Sequence, residues 1–213
     1  MAPLRWFHQI TVDRPVDRVL SPSQFMLNLH HEYGLFDDTP CTLLPYGIEH
    51  GSADHTLVVD ETSSKDTSQE LRLLFVGQLT AQKGALWLVN AIDMMNRTDV
   101  RLDVLGKGPQ MEEIKKIAAE NEVIHVHGFV TGSDLDEFYK LADATVVSSK
   151  WYDNSPMVIY ESYFQGTPVI GADIGGIPEL IEEGRTGFLF NPNDQNSLQN
   201  AIESAIKTDN RKL

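Results

Sequence analysis

The sequence is poor in cysteine, in positive charge and in long apolar runs, and each shortage narrows what the protein can be. Cys41 is the only cysteine, so no disulfide can form within the chain, as is usual in a reducing compartment. The 17 lysines and arginines face 31 aspartates and glutamates, and the net charge of -14 argues against nucleic acid or an anionic membrane as the main partner. No apolar run is long enough to cross a bilayer, and residues 1–12 lack the apolar core of a secretory signal.

The apolar pattern divides the chain into three parts. Residues 1–48 repeat the pattern of strands and helices but cannot close a sheet of their own, as if they ended a preceding domain. Residues 49–70 are polar with little apolar periodicity, which is typical of a linker or a surface loop. In residues 71–213, apolar strands alternate with amphipathic helices. This alternation predicts an α/β fold in which a parallel sheet carries helices on both faces.

The boundaries of the predicted elements follow from apolar periodicity and from helix-capping signals. The predicted strands are Arg18–Leu20, Cys41–Leu44, Leu71–Val76, Leu102–Leu105, Val123–His127, Thr145–Val147, Pro168–Ala172 and Gly187–Phe190. The predicted helices of the third part are Ala85–Met95, Gln110–Glu120, Leu135–Leu141, Met157–Phe164, Ile177–Ile181 and Ser197–Ile206. A further helix is expected to begin at a capping box formed by Ser21 and Gln24, with Pro22 at its first position, and to end at Gly34.

Two glycine-rich loops each follow a predicted strand and precede a predicted helix. In the first, Gly77–Gly84, backbone amides and the helix dipole favour an anion, and Lys83 adds a full positive charge. This loop lacks both the Walker ending and the dinucleotide glycine spacing, and a solvated lysine beside a turn is the simpler alternative. The second loop, from Gly106 to Pro109, either encloses a ligand at the same sheet edge or is a tight turn.

The stretch from Thr145 to Phe190 carries the most chemical information. Pro156 presets the backbone where a helix begins, so the next backbone amides lack intrahelical acceptors and can bind a phosphate. Glu161 lies about one turn further along, where its carboxylate can accept hydrogen bonds from ribose hydroxyls. Asp153, in the loop before the helix, would reach the other side of the same ligand. Each carboxylate also has a structural explanation, Asp153 as a cap and Glu161 as a charge favoured near a helix start.

Taken in order, these motifs resemble the donor half of the retaining GT-B glycosyltransferases, most closely family four, also known as group one. The resemblance covers Leu71 to Ile206 almost without interruption, and Ser21 to Ile48 is similar to the end of that family's amino-terminal domain. The motifs that carry it are Gly77–Gly84, Leu105–Pro109, His127-Gly128-Phe129, the pair Asp153 and Glu161, and Gly175–Glu179. The implied fold is a Rossmann-like sheet, the carboxyl-terminal half of a GT-B fold.

The resemblance also implies a role for each matching residue in holding a UDP- or GDP-linked sugar. It implies that Lys83 pairs with the diphosphate, that Glu161 binds the ribose and that Asp153 contacts the transferred sugar, and these three are the implied catalytic residues. The other implied donor-binding residues are Gly77, Gln78, Gly106, Phe129, Val130, Ser155, Pro156, Met157, Val158 and Ile159. Phe129 and Val130 would lie along the nucleobase, and the amides of residues 157–159 would hold the phosphate oxygens.

The implied reaction is metal-independent transfer of the sugar, with retention, to an acceptor sugar, glycan or lipid. Two residues depart from the family's usual pattern. Gln78 stands where many members have arginine, which predicts weaker donor binding, and Asp153 replaces the usual glutamate, which can change the sugar accepted. No cofactor is implied. His125 and His127 point the same way along a predicted strand, but we find no third metal ligand and interpret both as structural.

The family's acceptor site lies in an amino-terminal domain of which this chain shows only the last elements, and the family's final crossover helix is also missing. We therefore expect the chain to bind nucleotide without transferring sugar. The expected location is the cytoplasm, with membrane contact of the full-length protein made mainly by the missing domain. Two other interpretations stay open: another GT-B protein, such as a nucleotide-sugar epimerase or a phosphorylase, and a non-catalytic scaffold, which Gln78 favours.

Overall fold

A computed structural model describes residues 16–48 and 70–207 of the chain. The strands are β1 (Val19–Ser21), β2 (Cys41–Leu43), β3 (Leu71–Val76), β4 (Val100–Leu105), β5 (Ile124–Gly128), β6 (Ala144–Val147), β7 (Val169–Ala172) and β8 (Gly187–Phe190). The helices are α1 (Gln24–Glu32), α2 (Ala85–Met95), α3 (Met111–Glu120), α4 (Ser133–Leu141), α5 (Met157–Phe164) and α6 (Gln195–Lys207), with a 3₁₀ turn at Ile177–Leu180.

The large sheet is parallel and has six strands in the order β5-β4-β3-β6-β7-β8. From β3 the chain moves outward through β4 to β5, and it then returns to β6, which pairs with the other side of β3. The strand order therefore reverses between β3 and β6. In open α/β sheets, the crevice at the carboxyl ends of the strands at such a reversal is where ligands bind.

Helices cover both faces of this sheet, as the alternating pattern predicts. Leu73 and Phe75 of β3 pack into the larger apolar core together with Leu88 of α2. Leu74, between them, faces the opposite side and packs against Tyr139 of α4. Successive side chains of a strand point to opposite faces, so one apolar strand fills both cores.

Many of the element boundaries differ from the predictions by one or two residues. Strand β4 begins at Val100, since Val100 already pairs with Leu71 at the start of β3. Strand β7 begins after Pro168, which has no backbone N–H to donate. The segment predicted as a helix after β7 is a 3₁₀ turn.

The amino-terminal unit consists of β1, α1 and β2, and its two strands pair in parallel. The prediction that Ser21 caps α1 is wrong. The cap is Ser23, whose hydroxyl accepts from the amide of Met26 at 3.2 Å, while the hydroxyl of Ser21 donates to the carbonyl of Ser23 at 2.8 Å. Pro22 therefore precedes the cap. The predicted end of this helix is confirmed, since Gly34 has a left-handed φ of +65°.

Some predictions concern residues outside the described part of the chain. The absence of a signal was argued from residues 1–12, nearly all of the linker falls in residues 49–69, and the chain end falls in residues 208–213. Within residues 16–48 and 70–207, no helix combines the length and the apolar character that a membrane span requires.

Candidate functional site

Two neighbouring cavities open at the carboxyl ends of the strands, the smaller at the reversal between β3 and β6 and the larger at the ends of β3, β4 and β5. The larger, of about 660 Å³, is lined by residues that include Gly77, Gln78, Gly106, Lys107, Phe129 and Val130. The smaller, of about 70 Å³, is lined by residues that include Gly77, Lys83, Ser149, Asp153, Pro156 and Val158. Both cavities share Val76 and Gly77 at the end of β3. Most of the predicted donor-binding residues therefore line one continuous region.

Close contact between loop backbones explains why two positions in the glycine-rich loops are glycine. Gly106 has a φ of +147°, and a Cβ there would lie 1.8 Å from the carbonyl oxygen of Gly77. Gly84 has a φ of +68°, and a Cβ there would lie 2.0 Å from the carbonyl oxygen of Ser148. These carbonyls belong to the main chain and cannot move aside, so both positions require glycine. The glycine-rich loops therefore bring the strand ends together around the cavities.

Lys83 and Asp153 form an ion pair beside the smaller cavity. Their Nζ and Oδ1 atoms are 2.6 Å apart, and the side chains keep 35% and 20% of their exposure. The other carboxylate oxygen of Asp153 accepts a hydrogen bond from the hydroxyl of Ser149. The resemblance assigns Lys83 to the diphosphate and Asp153 to the transferred sugar, and the structure brings the two side chains into direct contact. A bound anion would compete with Asp153 for the lysine.

The amino end of α5 offers backbone amides to the same region. Pro156 precedes the helix as its cap, and the amides of Met157 and Val158 have no hydrogen-bond acceptor within residues 16–48 and 70–207. The prediction that the amide of Ile159 is also free is wrong: it donates to the carbonyl of Pro156 at 3.1 Å, and the residue is fully buried. Two amides, rather than three, are therefore available to an anion.

Glu161 is held by a residue that the sequence did not single out. The hydroxyl of Tyr139 donates to Oε2 of Glu161 at 2.8 Å, and Tyr139 is only 1% exposed. Burial raises the pKa of Tyr139 far above its usual value, and the Glu161 carboxylate raises it further, so the hydroxyl stays a proton donor. In the sequence, Tyr139 is only one apolar position of an amphipathic helix, and nothing there links it to Glu161.

Ser155 belongs to the predicted site residues but does not line either described cavity. Its hydroxyl is 2.8 Å from that of Tyr160, and the residue is 7% exposed. Of the other predicted residues, Met157, Ile159 and Glu161 also lie outside both cavity linings. The structure therefore gathers the predicted loop residues other than Ser155 around the cavities, whereas only Val158 of the predicted residues of α5 lines one.

The rim of the larger cavity carries a cation that sequence reasoning missed. Nζ of Lys107 lies 5.0 Å from the ring centroid of Phe129, a cation–π contact, and Phe129 is 64% exposed. Lys107 stands between the two glycines of the second loop, and that position was the only signal for it in the sequence. The larger cavity thus has a positive charge at its rim, although Gln78 supplies none.

His127 belongs to a polar cluster that is centred on the buried Asp103. Its Nε2 lies 2.7 Å from Oδ1 of Asp103. Arg101 donates a hydrogen bond to each oxygen of the same carboxylate, to Oδ1 at 2.9 Å and to Oδ2 at 3.0 Å. Burial by itself raises the pKa of Asp103, but the hydrogen bonds with Arg101 and His127 outweigh it and hold that pKa below its usual value. Among the residues that the structure describes, no group of three or more His, Cys, Asp or Glu side chains could hold a metal ion.

Comparison with known sequences finds glycosyltransferases. Residues 70–208 match the family of glycosyl transferases group 1. An uncharacterised glycosyltransferase of Methanocaldococcus jannaschii is 30% identical over 141 residues, which cover 64% of this chain and 36% of that protein. The lipopolysaccharide 1,2-N-acetylglucosaminetransferase of Salmonella typhimurium is 29% identical over 213 residues, which cover 89% of this chain and 53% of that enzyme. The chain thus spans roughly half or less of the length of these relatives.

Solved structures show the same architecture. The HepE protein of Anabaena, solved in complex with UDP and glucose, superposes with a TM-score of 0.77 at 20% identity, covering 98% of this chain and 58% of HepE. This likeness confirms the predicted fold, a Rossmann-like domain of the GT-B glycosyltransferases. The family match takes in all six strands of the large sheet and both loops that line the cavities. The chain therefore belongs to the glycosyl transferases group 1 family.

Proposed function

We propose that this chain is the donor-binding domain of a retaining glycosyltransferase of the hexosyltransferase type. The full-length enzyme would transfer a sugar from a nucleotide diphosphate to an acceptor. The observation that carries the proposal is the ion pair of Lys83 with Asp153 beside the free amides of α5, at the reversal of strand order. The cation and the carboxylate thus line the same cavity as Pro156 and Val158, at the end of the helix that carries the two N–H donors.

The chemistry of sugar transfer explains why a lysine and free backbone amides are useful at this site. Departure of the nucleotide diphosphate concentrates negative charge on its phosphate oxygens. Fixed donors stabilise that charge without reorganising, and Lys83 with the amides of Met157 and Val158 would supply them. The diphosphate would draw Lys83 away from Asp153, whose carboxylate would then accept hydrogen bonds from hydroxyls of the transferred sugar.

The rest of the donor would extend from this point. We propose that Glu161, oriented by Tyr139, binds the ribose, and that the base lies in the larger cavity along Phe129 and Val130. A uridine nucleotide is the first choice for testing, because HepE was solved in complex with UDP-glucose as well as with UDP. Whether the base is uracil or guanine is left to experiment.

We also propose that the chain by itself binds nucleotide without transferring sugar. The chain spans 53% or less of the two curated relatives described above, so groups that bind the acceptor would come from the remainder of a longer protein. The acceptor, the retention of configuration and the cytoplasmic location stay predictions.

Calorimetry with UDP, GDP and ADP tests the donor site directly. We expect one of the three to bind, and we expect Lys83→Met to weaken that binding about tenfold, because a charge-assisted hydrogen bond at a partly exposed site is lost. Lys115→Met is the matched control, since Lys115 is an exposed lysine of α3 that pairs with Glu112. Absence of binding to all three nucleotides, or equal losses in both variants, would refute the donor site. Sugar transfer by the 213-residue chain alone would refute only the inactivity of the isolated chain.

A further inference from the structure

The amino end of α1 is capped by a residue far away in the sequence. The carboxylate of Glu179 accepts two backbone hydrogen bonds. The amide of Gln24 donates to Oε2 at 2.7 Å, and the amide of Phe25 donates to Oε1 at 2.5 Å. The next amide of the helix, that of Met26, donates a hydrogen bond to the hydroxyl of Ser23. A carboxylate at this end of a helix also interacts favourably with the helix dipole. Glu179 therefore holds the first turn of the amino-terminal unit with both of its oxygens.

The turn that contains Glu179 packs on the backbone that carries Asp153. The amide of Gly176 donates to the carbonyl of Asp153 at 2.7 Å. A Cβ on Gly176 would lie 1.8 Å from the carbonyl oxygen of Asn154, and one on Gly175 would lie 2.4 Å from that of Asp153. These backbones are thus in direct contact, and neither can shift without the other.

The amino-terminal unit also touches this backbone itself. The hydroxyl of Ser23 donates to Oδ1 of Asn154, the residue that follows Asp153. The rings of Phe25 and Tyr152 lie 5.2 Å apart between centroids. Three segments therefore meet at the amino end of α1: the helix itself, the turn with Glu179 and the loop with Asp153.

We propose that Glu179 is a positioning residue that couples the amino-terminal unit to Asp153 and so sets where that carboxylate meets the donor sugar. Two hydrogen bonds tie Glu179 to α1, and the Gly176 amide ties the same turn to Asp153. This inference rests on the proposed function, in which Asp153 contacts the sugar. A misplacement of about 1 Å at a reacting group is enough to reduce its effect a hundredfold.

Hydrogen exchange tests the coupling without any ligand. We expect Glu179→Ala to reduce the protection of the Gln24, Phe25 and Gly176 amides about tenfold or more, because their segments open locally more often. Glu179→Gln retains one carbonyl oxygen and should restore part of the protection. Glu182→Ala is the matched control, because that exposed carboxylate pairs only with Arg185 among the described side chains and should leave the three amides unchanged. Unchanged protection of Gly176 in Glu179→Ala would overturn the proposal.

Calorimetry with UDP and UDP-glucose tests the consequence for the donor. Because Asp153 would contact the sugar directly and the nucleotide only through Lys83, we expect Glu179→Ala to reduce the affinity for UDP-glucose about tenfold relative to the affinity for UDP, with Glu179→Gln in between. Equal losses for both ligands would show general destabilisation and overturn the positioning role, as would unchanged affinity for both. If the wild-type chain binds GDP or ADP in place of UDP, the same comparison is made with that nucleotide and its sugar-linked form. Failure to bind any of the three would instead refute the proposed function, and hydrogen exchange at Gly176 would then decide the coupling alone.

Discussion

Replacing Tyr139 with phenylalanine tests whether the orientation of Glu161 matters for nucleotide binding. The change removes a single oxygen atom, the one that donates to Glu161 at 2.8 Å, and retains the ring that fills the smaller core. The backbone carbonyl of Tyr139, which accepts from the hydroxyl of Thr167 at 2.6 Å, is untouched. Any effect on nucleotide binding would therefore come from the carboxylate that has lost its donor.

The size of the effect follows from the burial of the two partners. A hydrogen bond to a charged group contributes about 1.5–3 kcal/mol, and the half-buried Glu161 can recover part of this from water. We therefore expect Tyr139→Phe to lower the free energy of unfolding by about 1–2 kcal/mol. A free Glu161 would sample several rotamers, and in the proposed binding mode only one of them would face the ribose. UDP affinity should therefore fall about tenfold, which corresponds to about 1.4 kcal/mol.

Tyr163→Phe is the matched control. Its hydroxyl lies 3.0 Å from both the Leu180 carbonyl and the hydroxyl of Thr186, away from the two cavities. Urea unfolding and UDP calorimetry would be measured on both variants. We expect both to lose stability and only Tyr139→Phe to lose affinity. If Tyr139→Phe bound UDP as tightly as the wild type, or if both variants lost UDP affinity equally, the proposed role of Tyr139 would be refuted.

Two further predictions concern stability. The pKa of Asp103 lies below its usual value, so its charged form is stabilised by folding, and this stabilisation is lost as the pH falls through the folded pKa. Asp103→Asn should therefore lower the free energy of unfolding by about 2 kcal/mol at pH 7, and urea titrations should show the difference from wild type shrinking below about pH 4; a constant difference would contradict this. Gly84→Ala places a Cβ 2.0 Å from the carbonyl oxygen of Ser148, whereas a Cβ on Gly166, which also has a left-handed φ (+75°), would meet nothing within 4 Å. Gly84→Ala should therefore lower the free energy of unfolding by at least about 2 kcal/mol more than Gly166→Ala does. Equal thermal unfolding of the two variants would contradict this.

The order of strands and helices could be predicted well, because each element leaves a local pattern. The predicted bounds of β3, α2, α5 and β8 match the structure to the residue. The predictions failed where an element depends on its partners: β4 is longer because Val100 pairs with Leu71, and the cap of α1 is Ser23 because its hydroxyl reaches the Met26 amide. Neither pairing nor hydroxyl geometry can be read from apolar periodicity.

The candidate site could be predicted in part, for a similar reason. The loops with Lys83, Gly106 and Asp153 follow strands, and parallel strands all end at one edge of the sheet, so their gathering there was expected. Tyr139 and Lys107 were missed, since a buried aromatic and an exposed lysine are common in any helix or turn. The amide of Ile159 was predicted to be free because sequence does not show that the first turn tightens and satisfies it.

By itself, the sequence determined the class of fold, the family and the glycines on which the loops depend, because each is written in residue types at short spacing. Only the tertiary structure decided which groups face each other. Lys83 meets Asp153 across 70 positions, and Glu179 meets Gln24 across 155. Such contacts depend on the order of strands in the sheet and on the packing of loops at their ends. Those are properties of the whole chain, which no local pattern contains.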